Sequence, residues 1–252
     1  MKASPENWSV MVLYRFLLCY DIRRMSEYEC LFSIISVNYN DKAGLERTIE
    51  SVLSQDFQDY EHIIIDAGST DGSVDVICKA QSRYPQGRLR WASEKDNGIY
   101  DGMNKGVRMA RGRFLNMMNA GDWLEKDALS HIAKAVRQNP NIQVFLGLQK
   151  FYEEIGGVLL PLRIEQIYPR YLDRHVMYHQ AMFYHACLHD KYGLYRRDLK
   201  MASDQAFIFE IFARQAVSFM QVERLISNFA PGGRGGGVFG LSGTMLCAQG
   251  VF

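Results

Sequence analysis

Residues 31–67 read LFSIISVNYNDKAGLERTIESVLSQDFQDYEHIIIDA. Two apolar runs of strand length, LFSIISV (31–37) and EHIIIDA (61–67), flank a segment in which Leu45, Ile49, Val52 and Leu53 recur at helical spacing. The runs read as buried strands, and the segment between them as an amphipathic helix covering one sheet face. A strand, a helix and a second strand in that order are the unit of a parallel sheet flanked by helices.

The same alternation continues outward. GSTDGS leads into a helix through Val74, Ile77 and Cys78 that Pro85 and Gly87 end, and LRWASE (89–94) is a third, shorter strand. Ile99, Met103, Val107 and Ala110 predict a helix that stops at Gly112. RFLNMMN (113–119) is the next strand, followed by a helix with Ala128, Ile132, Ala133 and Val136 in its stripe, then by QVFLGL (143–148). The order to that point is β-α-β-α-β-α-β-α-β, an α/β fold with a Rossmann-like sheet. Beyond it the regularity breaks: Gly156 to Pro169 reads as a hairpin or loop, and Phe207, Ile208, Ile211 and Phe212 give one more helix.

Composition excludes several classes. A 252-residue chain with 48% hydrophobic and 23% charged residues has ordinary globular make-up, and a net charge of +1 supplies no basic field for nucleic acid. The five cysteines are scattered without a C-x-x-C pair, so neither a disulfide framework nor a cysteine zinc site is indicated and reduced, cytoplasmic thiols are the simplest reading. No run reaches the roughly 18 to 20 apolar residues that span a bilayer. VMVLYRFLLCY (10–20), followed by Arg23 and Arg24, is open to three readings: a signal peptide lacking a cleavage site, an interfacial membrane contact, or an extension ahead of an internal start at Met25.

Ligands of such a sheet bind beyond the carboxyl ends of its strands. Polar clusters fall there: Asn38 to Asn40, Asp66 with Asp71, Glu94 to Asn97, and Asn119 to Asp122. VNYNDKAG lacks the G-x-G-x-x-G of a dinucleotide fold, and no GxxxxGK[ST] loop is present. A nucleotide would therefore meet carboxylates and amides, and a carboxylate repels a diphosphate unless a divalent cation lies between them. Asp122, after Gly121, is the candidate ligand of that cation; taken alone, an Asp there also suits a turn.

FSIISVNYN, IIIDAGSTDGS, SEKDNGIYDGMNKGVRMARGRF and NMMNAGD, in this order and spacing, resemble the inverting GT-A glycosyltransferases of family 2. The likeness is greatest to the bacterial branch that builds exopolysaccharide and O-antigen repeat units; it covers 31–125 strongly and 175–230 more loosely. It implies transfer of a sugar from a nucleoside diphosphate sugar to an acceptor hydroxyl, with Mg²⁺ or Mn²⁺. The backbone around Val37, Asn38 and Tyr39 and the carboxylate of Asp66 would hold base and ribose. Asp96, Asn97 and Asn104 would border the sugar and diphosphate. The family's D-x-D motif corresponds to Asn119-Ala120-Gly121-Asp122, where the metal would rest on Asp122 beside Asn119. MASDQAF resembles the segment that supplies the general base, pointing to Asp204, although the same residue also suits a helix N-cap.

His179 and Gln180 fall in the HQ segment that lines the acceptor side in the family. The pairs His175/His179 and His185/His189 have the i, i+4 spacing of zinc ligands on a helix, but no acidic or cysteine partner sits at the spacing a zinc hydrolase would show. RIEQIYPRYLDRH (163–175) and KYGLYRRDLK (191–200) interleave basic and aromatic residues. This suits a glycan or lipid-linked acceptor met peripherally at the inner face of the plasma membrane, and equally a solvated loop. The expected division is an N-terminal extension (1–30), a nucleotide-sugar-binding half (31–150), a smaller acceptor-binding lobe (151–230) and a glycine-rich tail (231–252). That tail lacks the helix usual in the family, as a truncated or altered C-terminus would. A silent sugar-nucleotide-binding or regulatory module is the competing reading.

Overall fold

The computed structural model describes residues 28–166, 178–213 and 217–231. The expectations for residues 1–27, for His175 and the rest of 167–175, and for the tail from residue 232 lie outside the described residues.

The first half follows the sequence pattern. Strand β1 (Cys30–Asn38), helix α1 (Lys42–Leu53), β2 (Tyr60–Asp66), α2 (Ser73–Gln81), β3 (Leu89–Ser93), α3 (Ile99–Met109) and β4 (Gly112–Asn119) succeed one another. A two-residue strand, β5 (Trp123–Leu124), precedes α4 (Ala128–Gln138). A long hairpin follows: β6 (Val144–Ile155) and β7 (Val158–Gln166) turn at Gly156 and Gly157, both with positive φ. A 3₁₀ turn (His179–Ala181), β8 (Met182–His185), α5 (Cys187–Tyr192), α6 (Ser203–Ala213) and β9 (Phe219–Phe229) complete the described chain.

Among the described residues all nine strands share one sheet in the order β3-β2-β1-β4-β8-β6-β9-β5, with β7 added on β6. β1 pairs parallel with β2 and β4, while β8 pairs antiparallel with both β4 and β6. The sheet therefore continues across residue 150 without a break, because β6 is its link to β9.

Burial on both faces explains the uninterrupted apolar runs. Phe32 and Ile34 of β1 pack in one core with Leu45, Ile49 and Val52 of α1, Ile77 of α2 and Leu129 and Ile132 of α4. Ile35 and Val37 point the other way, into a second core with Tyr100 and Met103 of α3 and Phe207, Ile208 and Ile211 of α6. The two layers fix α1 and α3 on opposite faces, so the residues between strand ends and helix starts converge at the carboxyl edge of the sheet.

Candidate active site

Strand register brings the donor-side residues together. Asn38 pairs in register with Asp66, and Asp66 with Ser93, at the ends of β1, β2 and β3. Asn38 Nδ2 donates to Asp66 Oδ1 at 2.7 Å, Ser69 donates from its backbone N at 2.9 Å and from its hydroxyl, and Ser93 Oγ donates at 2.6 Å. Asp66 is 0% exposed. Burial, the largest single influence, pushes its pKa up, and the Ser69, Ser93 and Asn38 hydrogen bonds together outweigh it and leave it below the ordinary value. Its acceptor capacity is thus filled from within the protein; Ser69 and Ser93 lie in the IIIDAGSTDGS and SEKDNGIYDGMNKGVRMARGRF stretches, although neither was among the expected site residues.

Val37 is buried, Tyr39 is exposed, and the loop that follows is stitched to the β2–α2 turn. Asn40, at φ 50°, accepts from Thr70 N at 2.8 Å, and Lys42 N donates to Asp71 at 2.8 Å. Asp96 is half-buried and accepts from Gly98 N at 3.0 Å; burial raises its pKa. Asn97 is exposed, and its backbone N–H donates to Asp101. Asn104 faces elsewhere: its amide donates to Tyr195 O at 2.8 Å and accepts from Tyr195 N at 2.9 Å, so both ends of the side chain brace a loop.

The turn after β4 holds Asn119 and Asp122, and α1 organises it. Thr48 Oγ donates to Asp122 O at 2.7 Å and accepts from Gly121 N at 3.1 Å. Gly121 adopts φ 98°, and a Cβ there would stand 3.4 Å from the Asp41 carboxylate. Asp122 is 3% exposed. Gln180 Nε2 donates to its Oδ2 at 2.8 Å and Ala230 N to its Oδ1 at 3.2 Å. Burial nevertheless pushes its pKa up to about 7, with the Asp41 charge adding to the rise.

Asp204, in the first turn of α6, is 9% exposed and meets the opposite treatment. Tyr100 OH donates to Oδ1 at 2.7 Å, His179 Nδ1 faces Oδ2 at 3.0 Å and Gln205 Nε2 donates to Oδ2 at 3.1 Å. Burial raises its pKa, but the hydrogen bonds from His179, Tyr100 and Gln205 win, bringing it down to about 2. His179 and Gln180 are consecutive, so one 3₁₀ turn reaches both carboxylates. That turn is itself held by Asn116 of β4, whose amide donates to Gln180 O at 2.9 Å and Met182 O at 3.0 Å.

The structure therefore gathers Asn119, Asp122, His179, Gln180 and Asp204, and adds Tyr100, Thr48 and Asn116. Tyr100 lies in the SEKDNGIYDGMNKGVRMARGRF stretch, and its partner Asp204 lies 104 residues away. His185 and His189 do not share a helix: His185 ends β8, while His189 in α5 faces Gly193 O and Tyr184 OH. Among the described residues no three His, Cys, Asp or Glu side chains are grouped to hold a metal.

Comparison with known proteins identifies the family and the fold. The family model "Glycosyl transferase family 2" matches residues 33–199. An uncharacterised glycosyltransferase of Mycobacterium tuberculosis is 32% identical over 182 residues, covering 70% of this chain and 66% of its own length. A PGL/p-HBAD biosynthesis glycosyltransferase of Mycobacterium bovis is 27% identical over 220 residues, covering 86% and 80%. Among solved structures, S. aureus TarS (residues 1–349, in complex with UDP) superposes with a TM-score of 0.65 at 19% identity, covering 79% of this chain and 60% of that one. The mannosyltransferase PcManGT of Pyrobaculum calidifontis, in complex with GDP-Man and Mn²⁺, gives 0.63 at 16% identity, covering 90% and 68%. The chain thus spans about two thirds of the first mycobacterial relatives and less of TarS. With the sheet topology, the family model and the structural matches in agreement, the fold is GT-A and the chain belongs to glycosyl transferase family 2.

Proposed function

We propose that this chain transfers a sugar, with inversion, from a nucleoside diphosphate sugar to a hydroxyl of a glycan or lipid-linked acceptor. One observation carries the reading: two buried carboxylates, Asp122 and Asp204, whose surroundings push their proton affinities in opposite directions and which are joined through consecutive residues His179 and Gln180. Two titratable groups whose surroundings drive their proton affinities apart are what a divided task requires. Relatives lend support, since TarS is solved with UDP and with UDP-GlcNAc, and PcManGT with GDP-Man and Mn²⁺.

Asp204 is ionised over the physiological range and is the base. It takes the proton of the acceptor hydroxyl while that oxygen forms its bond to the anomeric carbon; the bond from that carbon to the diphosphate oxygen breaks, and its electron pair leaves with the diphosphate. Asp122 is a desolvated carboxylate short of positive charge, and each of its oxygens receives one N–H. A hard divalent cation suits that oxygen donor, and Asp122 would hold it. When bound, such an ion neutralises charge on the diphosphate. Asn38 and Asp66 shape the floor of the nucleotide site, Asp96 and Asn97 its rim, and Asn119 presents an Oδ1 without a protein partner.

We place the enzyme in the cytoplasm, with a peripheral contact at the inner membrane face. No helix among the described residues is long and apolar enough to cross a membrane, and no disulfide joins the described cysteines. The test is to incubate the chain with a panel of nucleotide sugars and divalent cations and measure release of nucleoside diphosphate. Cation-dependent release from one donor supports transfer. Saturable binding without turnover, with acceptors present, would leave the silent binding module standing.

A further inference from the structure

We infer that His179 is a positioning residue that selects which oxygen of Asp204 receives the acceptor proton and ties that carboxylate to the donor-side amide of Asn119. The inference rests on the transfer reading above. An ionised carboxylate has about four lone-pair sites. Oδ2 uses two, one facing His179 Nδ1 at 3.0 Å and one accepting from Gln205 at 3.1 Å, whereas Oδ1 uses one, on Tyr100 OH at 2.7 Å. The open site is on Oδ1, and it is there that the acceptor proton arrives.

The far side of the ring completes the link. With the proton on Nδ1 facing the carboxylate, Nε2 is an acceptor, and the Asn119 Nδ2 amide stands 3.4 Å from it. Asn119 is thereby turned so that its amide nitrogen faces the ring and its Oδ1 is left without a protein partner. His179 and Asp204 are each more than nine-tenths buried, so water competes weakly for either contact. Because Gln180 engages Asp122, a shift of the 3₁₀ turn would move base and donor site together.

Two substitutions in the full chain test this. His179→Ala should lower kcat on the order of 10²-fold, the cost of a misaimed reacting group, with donor KM changed less than about threefold. The acid limb of the kcat profile should also move to higher pH. Asp204 faces Tyr100 from α3, Tyr195 from the loop before α6, and His179; removing His179 takes away its strongest lowering contact while burial still raises its pKa. A base works deprotonated, so a raised pKa carries the loss of activity upward in pH. His179→Asn retains an N–H donor near Nδ1 and should restore the acid limb and most of kcat.

An unshifted acid limb in both variants, or a loss confined to donor KM, would overturn the positioning role. If the Ala variant does not fold, His179→Gln replaces it: its amide can reach Asn119 but leaves Asp204 Oδ2 without the ring N–H, so it should show the same shifted acid limb, and an unshifted limb there would overturn the role. Asp204→Asn, run alongside, separates the two levels: its transfer rate should fall roughly 10² to 10⁴-fold with donor binding retained. Full activity there would sink the base assignment itself rather than the role of His179.

Discussion

Asp66, Asp122 and Asp204 are one residue type in three environments, and the difference lies in how many donors each meets. Asp66 has four protein donors and Asp204 three, while Asp122 has two and a neighbouring negative charge. This count changes what a substitution should do. The family resemblance makes Asp66 a nucleotide contact, whereas its geometry makes it the knot that ties the ends of β1, β2 and β3. Asp66→Ala would strand Ser69 N, both serine hydroxyls and part of the Asn38 amide. The expected cost is about 1 to 2 kcal/mol of folding stability, since a buried donor left unpaired costs roughly 1 to 3 kcal/mol and the serine donors are only partly shielded from water. Denaturant unfolding of the ligand-free variant checks this. Wild-type stability combined with weakened nucleotide binding would return Asp66 to a purely ligand-facing role.

Elements differ in how much of their placement is local. α1 is fixed by its own stripe of Leu45, Ile49 and Val52, yet Thr48 within that stripe reaches 73 residues along the chain to Gly121. A threonine among apolar positions looks like a tolerated core residue, and nothing in its neighbours announces the turn it organises. Thr48→Val should leave Gly121 N–H buried without an acceptor, costing about 1 to 3 kcal/mol and loosening the turn that carries Asp122. Thr48→Ser keeps the hydroxyl and should behave close to wild type; equal stability of the Val and wild-type chains in a melting experiment would refute the clamp.

The same distinction explains which elements were legible. β1 to β4 declare themselves through apolar runs with two buried faces and through the helices between them. β8 and β9 do not. β8 has four residues and draws its strand character from pairing with both β4 and β6, and β9 exists as a strand through β6 and β5. Those partners lie far off in the chain, so local pattern carries little of the signal. Asp122 and Asp204 were nameable from motifs at strand and helix ends. Asn116 and Tyr100 were not, because a buried strand residue and a helix residue gain their meaning from long-range hydrogen bonds.

At the scale of the whole molecule the two site carboxylates pull stability in opposite directions with pH. Asp204 is held near 2 in the folded protein, below its ordinary 3.8, so it binds fewer protons folded than unfolded between those values. Its contribution is present above that window and is lost as pH falls through it. Asp122, lifted from 3.8 to about 7, keeps its proton in the folded state where the unfolded chain has released it. Its contribution is present below about pH 4 and is lost as pH rises towards 7. In chelator and without donor, the unfolding midpoint of the wild type should therefore fall between pH 5 and 8 relative to Asp122→Asn, whose side chain has no proton to lose. Adding Mg²⁺ or Mn²⁺ with a nucleoside diphosphate should raise the wild type at pH 8 by more than the Asn variant, because only the ionised carboxylate gains from the cation. Comparing two chains that differ at one residue cancels the titration of every other group, so parallel curves in chelator would mean that Asp122 is not held protonated. Divergent curves with no cation effect would keep the buried acid and remove the metal from it.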